Sequence, residues 1–195
     1  MAPEKGASTN NYITGMVLEC VARRSPEKEK HTMGESYQRL NFAPYWQMTN
    51  DNLVEIVDLV PEEKLDWAPE PTEWSTRVIV THIILARYHD PIVPGRDGAQ
   101  MSDVVLECRT RDGLKKHLRS SWEMVAAFLS DPGQLDATHE PLSGGLAPEY
   151  IEPEVYDGHY IAYHRMAHDL HHRSTIVGYL GKLGISLDGH RVRPL

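Results

Sequence analysis

An all-α four-helix bundle is the fold class this chain predicts, on three observations. Long proline-free windows fall at residues 45–60, 72–90, 95–131 and 154–193 of the 195. Each window carries apolar residues at helical spacing. Strand signals are weak, because "DVVLECR" at 103–109 and "YITGMVLECV" at 12–21 are short and fit either type. Proline breaks helix interiors, so proline-free stretches are where long helices can form.

Residues 1–38 read as an N-terminal arm whose "SPEKEKHT" stretch is a solvated linker. The bundle then spans 39–187, and 188–195 form a C-terminal tail. In the first window Leu53, Ile56, Val57 and Val60 follow the i, i+3, i+4, i+7 rule, and Pro61 ends the helix. In the second, Trp74, Val78, His82 and Leu85 share a face after a Ser75 N-cap. In the third, Leu114, Leu118, Trp122, Val125 and Leu129 form a stripe that "DPG" at 131–133 stops.

A long connector follows, "DPGQLDATHEPLSGGLAPEYIEP" at 131–153, rich in Gly and Pro and suited to covering a site at the bundle's end. In the last window Ile161, His164, His168, His172, Ile176, Tyr179 and Leu183 share a face. Gly184 followed by Ile185 predicts a Schellman-type ending.

Bulk properties narrow the function classes. Hydrophobic residues make up 41% and charged residues 25%, an ordinary globular balance. The net charge of −8, with no stripe of Lys and Arg, disfavours nucleic acid, whose phosphates demand clustered cations. The longest apolar run, "VIVTHIILA", is too short to span a bilayer, so no membrane association is expected. Cys20 and Cys108 are two unclustered thiols that imply no disulfide framework. The N-terminus lacks the basic-then-apolar order of a signal peptide, and a cytoplasmic location is the expectation.

The chemistry lies in the histidines. Four of the eleven, His164, His168, His171 and His172, fall within nine residues. His168 and His172 are spaced i, i+4, so both imidazoles leave one helix face a turn apart and can grip one cation. His171 is rotated by about 100° from His172 on a helix of 3.6 residues per turn and should face elsewhere. A two-His grip needs a third ligand from another helix. His82, flanked by Val78, Ile79 and Leu85, is the best candidate, since an unpaired imidazole on an apolar face is costly.

His164 reads as a core or supporting hydrogen-bond residue. His89, His117, His139, His159 and His190 read as surface or loop residues. Trp46, Trp74 and Trp122 read as core or pocket walls.

With "EWSTRVIVTHIILARYHD" on one helix and "HDLHHRSTIVGYLGKLGI" on the last, residues 40 to 187 resemble the DinB/YfiT-like superfamily of metal-binding four-helix bundles. The resemblance implies a divalent metal, commonly Zn or Ni, held by His82, His168 and His172, and frequent homodimers. Some relatives depend on a low-molecular-weight thiol. One departure is "HHRST" at 171–175, where many relatives read His-His-Arg-Gly-Gln, so any role of that Gly-Gln pair does not carry over to Ser174 and Thr175.

Three neutral nitrogen ligands leave a coordination position for water or substrate, as in catalytic rather than structural sites. The expectation is a metal-dependent enzyme that activates a thiol or water for a small-molecule substrate, with S-transferase chemistry ahead of hydrolysis. Arg87, Arg165 and Arg173 are the candidate cations for a pocket beside the metal. The competing expectations are a metal-stabilised binding or stress-response bundle without turnover, and a set of histidines that only hydrogen-bond within the core. A homodimer is expected, from the small-residue edge of Gly178, Gly181 and Gly184.

Overall fold

Side-chain caps and prolines set the helix limits in the computed structural model, which describes residues 43–88, 98–139 and 157–192. Helix α1 spans Ala43–Leu59 and stops before Pro61. A single 3-10 turn, Glu62–Lys64, follows. Helix α2, Thr76–Tyr88, starts behind Ser75, whose Oγ accepts from the Val78 N–H at 3.4 Å.

The third predicted window is divided. Helix α3, Gly98–Glu107, ends, and α4, Arg111–Leu129, begins at Thr110, whose Oγ1 accepts from the Gly113 N–H at 3.0 Å. A Cβ at Gly113 would lie 1.8 Å from the Glu107 carbonyl oxygen, so only glycine allows this turn. "DVVLECR" therefore belongs to the end of a helix. Part of the connector is helical too: α5, Pro132–Asp136, is capped by Asp131. Helix α6, Gly158–Lys182, is capped by Asp157.

The α6 ending is a Schellman motif. Gly184 has φ +71°, its N–H donates to the Gly181 carbonyl, and the Ile185 N–H donates to the Leu180 carbonyl. The arm at 1–38, residues 140–153 of the connector, Cys20 and His89 lie outside the described residues. Among the described residues there is no strand, only an isolated bridge between Thr138 and Asp157. None of their helices is long and apolar enough to cross a membrane.

The architecture is all-α. Helices α1 and α2 each pack on both α4 and α6, so the four alternate around the core as α1, α4, α2, α6, with α3 against α2 and α4. Two apolar clusters fill the bundle. The larger holds Leu53, Ile56 and Val57 of α1, Ile79, Ile83 and Ile84 of α2, Leu114 and Leu118 of α4, and Ile176 and Leu180 of α6. The smaller holds Trp46, Trp122, Val125, Phe128, Ala162 and Met166, with the two indoles edge to face at 5.7 Å.

Between the two clusters lies a buried polar layer. Arg87 and Asp169, 1% and 0% exposed, form an ion pair in which Nε and Nη2 of the arginine donate to Asp169 Oδ2 at 2.9 and 2.8 Å. Trp46 Nε1 donates to the same oxygen at 2.7 Å. Arg87 Nη1 reaches Asn50 Oδ1 at 2.8 Å, Ser121 Oγ at 3.3 Å and the Leu118 carbonyl at 3.4 Å. Burial would raise the Asp169 carboxyl, but Arg87, His168 and Trp46 outweigh it and hold it below the ordinary carboxylate range. Arg87 is thus a core residue, neither a solvated charge nor a pocket cation.

Several other placements differ from the sequence expectation. The α2 face carrying Trp74, Val78, His82 and Leu85 is not the core face. Trp74 is 49% exposed and Val78 46%, while Ile79, Val80, Ile83 and Ile84 point inward. Inward-facing Arg87 and Tyr88 continue that second stripe and fix the helix rotation. His117 is buried rather than on the surface, bonded to the Tyr88 hydroxyl through Nδ1 at 3.1 Å and to Glu107 Oε2 through Nε2 at 3.0 Å. The tail folds back: Val192 is buried in the larger cluster, and His190 Nδ1 lies 2.9 Å from Glu55 Oε1. Gly178 and Gly181 have open space where a Cβ would sit, so among the described residues they mediate no close packing.

Removing one member of a buried ion pair strands the other in a medium that cannot solvate it. Arg87→Leu should lower unfolding free energy by about 3–5 kcal/mol in urea titrations, and Arg87→Leu with Asp169→Leu should recover part of that loss. A single variant as stable as the parent would remove the ion pair from its place in the fold.

Candidate metal centre

Helix rotation brings three imidazoles together. His82 leaves the flank of α2 that faces α6, and His168 and His172 leave α6 one turn apart. Their ring centroids are 4.9 Å (His82–His168), 5.0 Å (His82–His172) and 4.5 Å (His168–His172) apart. Each ring offers one nitrogen, and these nitrogens all lie within 4.8 Å of one another. The Nε2 atoms of His82 and His168 are 2.9 Å apart. A cation bound at ~2.0–2.1 Å by nitrogens in tetrahedral geometry separates them by about 3.3 Å, so small ring rotations suffice.

The electrostatics suit a cation. Burial, reinforced by the neighbouring His168, lowers the His82 pKa, and the same causes, with His82 and His171 added, push His172 down to about 4. His82 and His172 are therefore neutral near pH 7, the state in which an imidazole can ligate. His168 is oriented from behind: its Nδ1 lies 3.3 Å from Asp169 Oδ1, the oxygen that the buried arginine leaves open. A carboxylate on the far nitrogen fixes the tautomer and turns Nε2 toward the cluster. The donor set of three imidazoles, half-buried and backed by a carboxylate, fits a divalent transition-metal cation.

The remaining candidates lie around this cluster. His171 is exposed and outside the triad, although its ring is 5.2 Å from that of His172. His164 stacks on Tyr160 at 6.1 Å, its pKa lowered by burial and by the adjacent Arg165. Arg165 is half-buried, and its charge also contributes to lowering His82. Arg173 is buried, donating from Nε and Nη2 to Asn52 Oδ1 at 3.2 and 2.8 Å. The sequence reading did not single out Asp169. Its signal was its place on the stripe Ala162, Met166, Asp169, Arg173, Ile176, which is the buried side of α6.

Trp74 covers the cluster. Its indole lies 5.0 Å from the His82 ring and stacks on His172 at 6.3 Å with planes 18° apart. Two hollows flank it. One, of about 350 Å³, runs between α2 and α3 and is walled by Val78, His82, Leu85 and Val105. The other, of about 500 Å³, is bounded by Thr72, Glu73, His172, Thr175 and Lys182. The first is almost wholly apolar, and the second mixes polar side chains with apolar ones such as Ile79 and Tyr179. A third hollow of about 500 Å³ at the α3–α4 corner contains none of the three histidines.

A solved structure from Exiguobacterium sibiricum, described as a candidate member of the DinB family, matches this chain with a TM-score of 0.56 and 19% identity, over 76% of this chain and 97% of that one. The chain therefore has a DinB-like fold. No family model matches the sequence, and no curated protein does.

Each of His82→Ala, His168→Ala and His172→Ala should reduce tightly bound divalent metal from about one ion per chain to near zero, because a three-ligand site tolerates no loss. His171→Ala and His164→Ala should retain it. Elemental analysis of protein purified without an affinity tag measures both sets, and equal metal in all five variants would dissolve the triad as a site.

Proposed function

We propose that this protein is a metal-dependent transferase that joins a low-molecular-weight thiol to a small electrophilic substrate. The observation that carries the reading is the pairing of the triad with two hollows, one almost wholly apolar and one of mixed lining. His82 lines one, His172 lines the other, and Trp74 lines both. A hydrolase needs one organic pocket and water; two adjoining pockets accommodate two organic reactants. A divalent cation at the triad would lower the pKa of a bound thiol or water and supply a nucleophile near neutral pH.

The chain's own residues do the remainder. Asp169 holds His168 in the tautomer that presents Nε2. Trp74 shields His82 and His172 from bulk water and separates the two hollows. Lys182 offers the mixed hollow a cation for the carboxylates of a hydrophilic thiol, and the Thr175 hydroxyl oxygen, whose proton goes to the His171 carbonyl, can accept from its N–H groups. In the step itself a sulfur–carbon bond forms and the bond to the leaving group breaks. The leaving group takes its bonding pair, and the thiol proton is released.

The test is a panel of glutathione, bacillithiol and mycothiol with 1-chloro-2,4-dinitrobenzene, following chloride release and thioether formation by the metal-loaded protein. Turnover should appear with one thiol and fall at least about a hundredfold in His168→Ala. Full metal occupancy with no thiol consumption would overturn the transferase reading. Unfolding of the bundle on metal removal would then make the site a structural one.

A further inference from the structure

The apolar hollow between α2 and α3 has a chemistry of its own. Its volume of about 350 Å³ lies within the range of small-molecule sites. Its walls include the half-exposed Trp74, Val78 and Val105, large apolar side chains that burial in this subunit leaves incomplete. Cys108 also lines it, but burial pushes that thiol up to about 11, so it stays protonated and acts as wall rather than nucleophile.

Two arginines are among the residues that line the hollow, and they differ. Arg77 is occupied: its Nε donates to Asp66 Oδ1 at 2.8 Å and its Nη1 to the Arg109 carbonyl at 2.6 Å. Arg109 is exposed, and among the described residues its side chain makes no hydrogen bond or ion pair. An apolar slot with an indole wall at the histidine end and an uncommitted guanidinium among its lining residues recognises one kind of molecule.

We propose that this hollow is the electrophile subsite, and that its ligand is a small molecule with a flat apolar body and an anionic end such as a carboxylate. Trp74 and Val105 hold the apolar body, and Arg109 holds the anion. The assignment of the ligand as electrophile rests on the transferase reading. The ligand's chemical class rests on the hollow alone.

Calorimetric titration of the full chain with 2-naphthoate and with the neutral 2-naphthalenemethanol tests it, with metal content measured on the same samples. Both probes should bind saturably, 2-naphthoate the tighter. Val105→Trp fills the slot from a half-exposed position and should weaken both by about tenfold or more, with metal content and circular dichroism unchanged. Val78→Trp, from the opposite wall, repeats the test if the first variant folds poorly. Arg109→Gln should weaken 2-naphthoate by about tenfold and leave the alcohol unaffected.

No saturable binding, or binding indifferent to both tryptophan variants, would overturn the subsite. Equal loss of both probes in Arg109→Gln would overturn its anionic end. The two readings fail separately: probe binding without bound metal retires the transferase and keeps the subsite, whereas bound metal without probe binding does the reverse.

Discussion

One buried ion pair ties the bundle together. Asp169 on α6 and Arg87 on α2 meet where the two apolar clusters would otherwise join, and the pair recruits Trp46 and Asn50 from α1 and Ser121 and the Leu118 carbonyl from α4. Every long helix of the bundle contributes a partner. Desolvating two charges costs several kcal/mol each, and the layer offsets it only because nearly every donor and acceptor finds a mate. Apolar packing supplies most of the stability. The polar layer supplies register: sliding α2 or α6 by one residue would bury a charge with nothing to face.

The histidine cluster inherits its geometry from that register. His168 precedes Asp169 directly, so once the carboxylate is locked inward the imidazole lies about 100° around α6, at the edge of the core. His172 follows by four residues and about 40°, on nearly the same line. On α2, His82 lies five residues before Arg87, about 140° around the helix, so turning the arginine inward sends His82 to the flank beside α6. The remaining oxygen of Asp169 then meets His168 Nδ1. One carboxylate thus serves the fold through Oδ2 and the site through Oδ1.

Much of this was legible in the sequence because it rests on local rules. Proline-free windows located α1, α2 and α6, the i, i+4 pair singled out His168 and His172, and Gly184 with Ile185 announced the Schellman ending. His82 stood out as the one imidazole on an apolar helix face. The polar layer was not legible, because its partners lie 31 to 123 residues apart and no local period links them. For the same reason Arg87 read as a candidate pocket cation and His117 as a surface or loop residue. The second window had two apolar stripes, Trp74–Val78–Leu85 and Ile79–Ile83–Ile84, and periodicity alone does not say which one faces the core. The buried arginine decides it, leaving the first stripe to wall a hollow. The division of the third window at Thr110 was hidden because the capping threonine sits in an otherwise helical run.

A metal at the flank does different work from a metal in the core. In small metal-stabilised domains the cation replaces a missing hydrophobic core, and the chain unfolds without it. Here the helices already meet through two apolar clusters and a satisfied ion-pair layer, and the three histidines sit half-buried beside them. A cation would add its binding free energy by mass action but would not be needed to bring α2 and α6 together. In the proposed transferase its coordination sphere would be open to the reactants. The surroundings match: an exposed indole over the imidazoles and a hollow on either side form a costly arrangement for a merely structural ion, since each half-exposed apolar wall forgoes burial. The bundle's stability and its chemistry meet at Asp169, and elsewhere they are kept apart.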